Sequence, residues 1–139
     1  MKKLCLVPIA LLWLTTLAVA EDFDGKSPMM CAPQRGHDCL PTAKSCKPLK
    51  PEAGRDVNLY IDVANMQVKT PYRTTDLPIQ SISNNEKSLI LQGTSLQYVW
   101  AATIHRTTGR MTIAIADREG AYVIFGQCKL GSPPAAPAT

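Results

Sequence analysis

The sequence lacks the patterns that mark most cofactor-dependent enzymes and metalloproteins. It has no glycine-rich phosphate-binding loop, no dinucleotide-binding glycine fingerprint and no internal repeat. Only two histidines occur in 139 residues, and the cysteine spacings do not match those of a zinc site. We therefore expect no cofactor and no bound metal ion.

Helical periodicity and basic clusters are also missing. Beyond the N-terminus, apolar residues do not recur at the spacing of an amphipathic helix. Lysine and arginine do not cluster with interleaved aromatic residues, which argues against a nucleic-acid partner. The formal net charge is +4, and it would fall to +2 if Lys2 and Lys3 were removed with an export signal.

Such a signal is what residues 1–20 predict. Lys2 and Lys3 precede an apolar stretch at 4–17, and a small-residue cleavage motif follows at 18–20. We predict cleavage before Glu21 and a periplasmic or secreted protein. The alternative is a membrane anchor, but the stretch is shorter than the ~20 apolar residues that span a bilayer. No second such stretch follows, so we expect the mature form to have no membrane span.

Alternating apolar and polar residues predict an antiparallel β domain over residues 56–130. The clearest runs are 96–105 and 111–116, which flank the turn sequence RTTGR, and 121–128, which follows the turn sequence DREG. Pairing Arg106 with Met111 places Ile104 opposite Ile113 and makes the apolar faces coincide. Gly109 supplies the positive φ that a tight hairpin loop of two or four residues needs.

Earlier runs complete this domain. Residues 56–69 predict a strand that is interrupted near Ala64 and Asn65 by a β-bulge, with a turn as the alternative. Pro71 and Pro78 confine residues 70–83 to loop or edge strand, and residues 88–92 form a short strand. The expected fold is all-β: a small meander of five or six strands, curled into an open barrel or a small sandwich. Residues 131–139 are expected to be a disordered Pro/Ala tail.

The last run differs from the others because it is apolar at four successive positions, 122–125. Both faces of such a strand need cover. One face can join the core, and the other face, which carries Val123 and Phe125, is a candidate contact surface for the rest of the chain or for another molecule.

Residues 21–55 form a proline-rich leader, and proline disfavours both a continuing helix and a central strand. After export, the remaining cysteines are Cys31, Cys39, Cys46 and Cys128, which an oxidising compartment would pair as disulfides. We favour a Cys46–Cys128 bond, which would lay the leader over the apolar last strand, with a local Cys31–Cys39 bond. The sequence leaves the other two pairings open.

Arginines mark the two predicted turns. Arg106 and Arg110 flank one turn and Arg118 lies in the next, so they are candidates for a small patch that binds an anion or a carboxylate. The more ordinary interpretation, which we favour, is that they keep turns solvated and sheet edges from aggregating.

His105 is the one candidate for catalysis. It would need Asp62 or Asp117 and one of the nearby serines, but no G-x-S-x-G nucleophile elbow accompanies any serine. We therefore expect that the protein is not an enzyme.

The strands quoted above also resemble those of small exported bacterial proteins of unknown function. The resemblance covers roughly residues 57–128, and it is carried by NLYIDVANMQV, SLILQG, the W-x-x-x-I-x-R-T-T-G-R hairpin and the GAYVIFGQC ending. It implies the fold and the exported location, and it assigns no site residue.

Together these patterns predict an exported, non-catalytic binding or interaction module whose partner is an exported protein or a small ligand. Two alternatives stay open: a small periplasmic hydrolase that uses His105, and a periplasmic enzyme inhibitor.

Overall fold

A computed structural model describes residues 22–71 and 76–131. The predicted export signal, and the predicted tail beyond Gly131, lie outside these residues. The described chain contains ten strands and no helix, so the all-β prediction is confirmed and the expected count of five or six strands was too low. The strands are β1 (Met29–Cys39), β2 (Lys47–Leu49), β3 (Leu59–Asp62), β4 (Gln67–Lys69), β5 (Leu77–Pro78), β6 (Ser81–Asn84), β7 (Ser88–Ser95), β8 (Tyr98–His105), β9 (Arg110–Asp117) and β10 (Ala121–Leu130).

The strands form one antiparallel sheet in the order β5-β4-β3-β1-β10-β9-β8-β7-β6, and β2 pairs with part of β1. The strands β3–β5 and β6–β10 form two antiparallel meanders in chain order, in line with the predicted sequential pairing. The strand β1 lies between them and pairs with β3 on one side and with β10 on the other.

The two ends of the sheet are joined by only two residues of chain. Ile79 donates its backbone N–H to the carbonyl of Met66 at 2.8 Å, on the β4 side. Gln80 donates to the carbonyl of Gln92 in β7, also at 2.8 Å. Because consecutive residues bond to opposite neighbours, the sheet is curled upon itself and has an inner and an outer face.

The largest departure from the sequence-based prediction is β1. The leader was expected to be loop-rich, but 11 of its residues form a strand in the middle of the sheet. Pro33 is tolerated because the pairing with β10 shifts register between Pro33 and Arg35, and proline fits a bulge where the ladder is interrupted. The sequence feature that pointed to this strand was the apolar strand β10, which needed a partner. That feature lies far from β1 in the sequence.

The disulfides join Cys31 to Cys128 and Cys39 to Cys46, so the favoured pairing of Cys46 with Cys128 was wrong. The physical reason is register: Cys31 lies directly opposite Cys128 in the β1–β10 ladder. A bond from the leader to Cys128 is confirmed, but the leader pairs edge to edge with β10 and does not lie over its face.

The β8–β9 hairpin has the predicted faces but not the predicted register. Ile104 lies opposite Met111, and Ala102 lies opposite Ile113, two residues away from the expected pairing. Slips by two residues preserve the faces of both strands, so the apolar pattern could not detect this one. The loop has four residues, and Gly109 closes it at a φ of 66° with its N–H donated to the His105 carbonyl at 2.8 Å.

The remaining strand predictions are mostly confirmed. The interruption near Ala64 is a turn and not a bulge, with a 2.7 Å side-chain hydrogen bond from Asn65 to Asp62 across it. The short strands β5 and β6 lie at the two ends of the strand order, as the nearby prolines suggested. The predicted strand at 88–92 continues to Ser95.

The core fills one end of the curled sheet, which we call the closed end. Phe23 enters there from the leader and is 2% exposed, with its N–H donated to the Arg106 carbonyl at 2.9 Å. Asp22 beside it binds Arg106 through two side-chain contacts. Other side chains with at most 2% exposure at this end include Met29, Cys31, Leu89, Ile104, Met111 and Cys128.

Candidate ligand-binding cleft

The opposite end of the curled sheet is not filled. A cleft of about 530 Å³ opens there between the β8–β10 wall and the β3–β5 wall, with β1 on the third side. Its lining is mostly apolar. Large apolar side chains in its lining include Leu59, Trp100, Ile113, Ile115, Tyr122 and Ile124.

The cleft exists because the inward-facing side chains become less buried toward this end of the sheet. Along β9, Met111 is 2% exposed, Ile113 is 6% exposed and Ile115 is only half-buried. Along β8 the same order holds, from Ile104 and Ala102 to the half-buried Tyr98. The sequence places apolar side chains on the inner face along the full length of both strands, but packing fills only half of that length.

The mouth of the cleft is walled by the leader. The second half of β1 pairs with β2 at residues 36–38, and the Cys39–Cys46 disulfide closes this hairpin. The chain then passes the cleft through Leu49, Lys50 and Pro51, which belong to its lining. Sequence analysis missed these residues as site residues because nothing local links them to β8–β10.

Trp100 combines a cleft position with an unsatisfied donor. The side chain is 7% exposed, and its Nε1 is buried without a hydrogen-bond partner among the described residues. The ring packs on Gly93, where an added Cβ would lie 2.7 Å from Cε2 and from Cζ2 of the indole. Buried donors are nearly always paired in proteins, so this one is a feature that core packing does not explain. In the sequence alone, Trp100 and Tyr98 look like ordinary core aromatic residues.

A second depression, of about 390 Å³ and more polar, lies on the outer face near the closed end. We call it the polar depression. His105 and Ser88 lie opposite each other in register within its lining, together with Arg110, Arg35 and Phe125. His105 Nδ1 lies 3.2 Å from the hydroxyl of Thr107.

The structure does not bring the three predicted arginines together. Arg106 is held by Asp22, with a 2.8 Å bond from Nε, and this partner raises the pKa of Arg106 above its ordinary value. Arg110 begins β9 and faces the polar depression, whereas Arg118 follows the other end of that strand. Only Arg110 therefore has a place in a possible anion site.

Val123 and Phe125, the candidate contact residues, point to the outer face of β10 and are half-buried. The guanidinium of Arg35 lies 5.3 Å from the centre of the Phe125 ring and covers part of it. Tyr122 and Ile124 on the other face line the cleft. The run of four apolar residues thus supplies one cleft wall and one partly covered outer surface.

The possible partners for a catalytic His105 lie elsewhere. Asp62 is bound to Asn65, whose side-chain amide and then backbone N–H lower the pKa of Asp62. Asp117 accepts the N–H groups of Glu119 and Gly120 in the β9–β10 turn. Neither carboxylate lines the polar depression, so the hydrolase alternative stays a prediction without an assembled triad.

Within residues 22–71 and 76–131, no group of three or more His, Cys, Asp or Glu side chains is placed to hold a metal ion. In the same ranges, no helix has the length and hydrophobicity needed to cross a bilayer. Comparison with protein-family models, with curated protein sequences and with solved structures found no match for this chain.

Proposed function

We propose that this protein is an exported, non-catalytic binding module that holds a small apolar ligand in the cleft at the open end of its curled sheet. The observation that carries the proposal is the apolar cleft of about 530 Å³, a size within the ~300–1,000 Å³ range of small-molecule sites. The mouths of curled and closed sheets are common places for such sites.

The distribution of packing supports the same conclusion. The closed end is plugged by Phe23, and its inward side chains are fully buried. The open end leaves Ile115, Tyr122 and Ile124 half-buried around empty space. Burying apolar surface is favourable by roughly 25 cal/mol per Å². An apolar ligand would therefore bind favourably by covering the cleft side chains that the protein itself leaves half-buried.

Export is part of this proposal. It is supported by the N-terminal pattern of residues 1–20 and by two disulfides, which persist in oxidising compartments. The likeness of residues 57–128 to small exported bacterial proteins points the same way.

Trp100 makes the proposal testable by fluorescence. Once residues 1–20 are removed, it is the only tryptophan in the chain, and it lines the cleft. Titration of the mature protein with 1-decanol is expected to give a saturable change in its emission.

Adjacent positions on β9 supply a matched pair of variants. Ile115→Lys places an amine in the cleft wall, whereas Ala116→Lys places the same group on the exposed outer face. We expect decanol affinity to fall at least about tenfold in the first variant, because one buried aliphatic side chain contributes ~1.5–3 kcal/mol. The second variant should bind like the wild type. Circular dichroism confirms that both fold. Equal affinities in all three proteins, or no saturable change, would contradict the proposal.

A further inference from the structure

The polar depression on the outer face is lined by several side chains that can donate hydrogen bonds. Its lining includes two arginines, one imidazole and several hydroxyl and amide groups, but no Asp or Glu. The members that the inference uses are Arg35, Arg110, His105, Ser88, Thr103 and Thr112.

The strand register explains how residues from four strands and the leader meet there. One row across the outer face runs from Arg35 through Phe125 and Thr112 to Thr103. The next row contains Arg110, which lies opposite Gln127. Rows on one face are about 7 Å apart along the strands, and neighbouring strands are about 4.8 Å apart. The two arginine side chains are therefore long enough to reach one small ligand between them.

Neither arginine has an acidic partner. Among residues 22–71 and 76–131, the ion pairs involve Lys26, Arg55, Arg106 and Arg118, and none involves Arg35 or Arg110. The guanidinium of Arg35 lies 5.3 Å from the centre of the Phe125 ring. Two guanidinium groups without a counter-charge form a region of positive potential, which an anion would neutralise.

We propose that this depression is a binding site for a small oxyanion, phosphate or carboxylate. Arg35 and Arg110 supply charge-assisted hydrogen bonds in pairs, since a guanidinium matches the geometry of such oxygens. The hydroxyls of Ser88, Thr103 and Thr112 supply further donors at the floor. The site opens on the opposite face from the apolar cleft. Arg35 belongs to the lining of both, whereas Arg110 belongs to that of the depression and not to that of the cleft.

The test is a titration of ¹⁵N-labelled mature protein, followed by ¹H–¹⁵N correlation spectra at constant ionic strength. One arm uses inorganic phosphate, and the other arm uses glucuronate as a carboxylate. We expect saturable shifts at the amides of Thr103, Thr112 and Gln127 in at least one arm, and comparison of the two arms identifies the preferred oxyanion.

Variants at the two ends of β9 provide the control. Arg110→Gln, and independently Arg35→Gln, should weaken binding at least about tenfold, the effect of losing one charge-assisted hydrogen bond. Arg118→Gln removes the same charge from the far end of the strand and should leave binding unchanged. An absence of localised saturable shifts in both arms would overturn the proposal, as would equal weakening by Arg110→Gln and Arg118→Gln. Decanol binding by Arg110→Gln should be unaffected, so failure here is distinct from failure of the cleft.

Discussion

Two glycines with similar backbone torsions have very different surroundings. Gly109 has a φ of 66° and Gly54 a φ of 77°. A Cβ at Gly109 would lie 2.6 Å from Phe23 Cζ and 2.7 Å from the Cys128 carbonyl oxygen, whereas a Cβ at Gly54 would meet nothing within 4 Å. At Gly109, therefore, both the left-handed backbone and the close packing of the closed end require glycine.

Substitution of these two glycines distinguishes the cost of backbone strain from the cost of steric crowding. Gly54→Ala should lower the free energy of unfolding by about 1–2 kcal/mol, the cost of the left-handed conformation alone. Gly109→Ala should lower it by clearly more, because Phe23 and the β10 backbone must also move. Urea unfolding of both variants measures the difference. Equal losses would mean that the plug formed by Phe23 is loosely packed.

Asp62 links stability to pH. Its pKa is lowered from the ordinary value of 3.8, first by the Asn65 side chain and then by the Asn65 backbone. Because the folded pKa is the lower one, this stabilisation is present above pH 3.8 and is lost as the pH falls through the folded pKa.

Asp62→Ala tests this linkage. Thermal melts should show the largest difference in Tm between wild type and variant at neutral pH, and the difference should shrink below pH 3.8, where the wild-type carboxyl becomes protonated. A difference that is constant from neutral to acidic pH would show that the turn does not depend on the charge of Asp62.

At the scale of elements, the two disulfides have separate roles. Cys31–Cys128 spans 97 residues and locks β1 against β10, whereas Cys39–Cys46 spans seven residues and closes the hairpin at the cleft mouth. The first should therefore govern stability and the second the shape of the cleft.

Paired Cys→Ala variants distinguish these roles. In the chain-entropy model, loss of the long loop closure costs about 4.7 kcal/mol and loss of the short one about 2.5 kcal/mol. Chemical denaturation should rank the variants in that order, and decanol affinity should fall in the protein without Cys39–Cys46 while its fold persists. Unchanged affinity in that protein would show that the hairpin does not contribute to ligand binding in the cleft.

Sequence patterns predicted most strands of residues 56–130 and missed both strands of the leader, β1 and β2. The strands β7–β10 follow from alternation and turn residues, and Gly109 was identified correctly in its loop. The strand β1 was missed because Pro33 and the prolines that flank the strand argued against it, and because its partner β10 follows about 90 residues later. Its recognition required the Cys31–Cys128 register, which sequence alone could not choose among three pairings.

The candidate site was harder to predict than the fold. Arg106 and Arg110 look equivalent in sequence, but Asp22 engages only Arg106. The cleft residues Trp100 and Ile115 look like ordinary core residues. They line a cleft because the curl of the whole sheet leaves that end unfilled, and no local pattern records how far a core extends along a strand.

The whole molecule is asymmetric along the axis of its curled sheet. One end is plugged by Phe23 and cross-linked near Cys128, and the other end is an apolar cleft with the leader hairpin at its mouth. The closed end carries the packed core, and the open end is left unfilled. We propose that a ligand binds at this open end.

The most direct test is to locate bound 1-decanol by nuclear Overhauser effects in the protein without residues 1–20. We expect effects between decanol methylene protons and the methyl groups of Ile113, Ile115 and Ile124, which line the cleft. Effects confined to outward methyl groups such as those of Val99 and Val123, or no effects at saturating decanol, would contradict it.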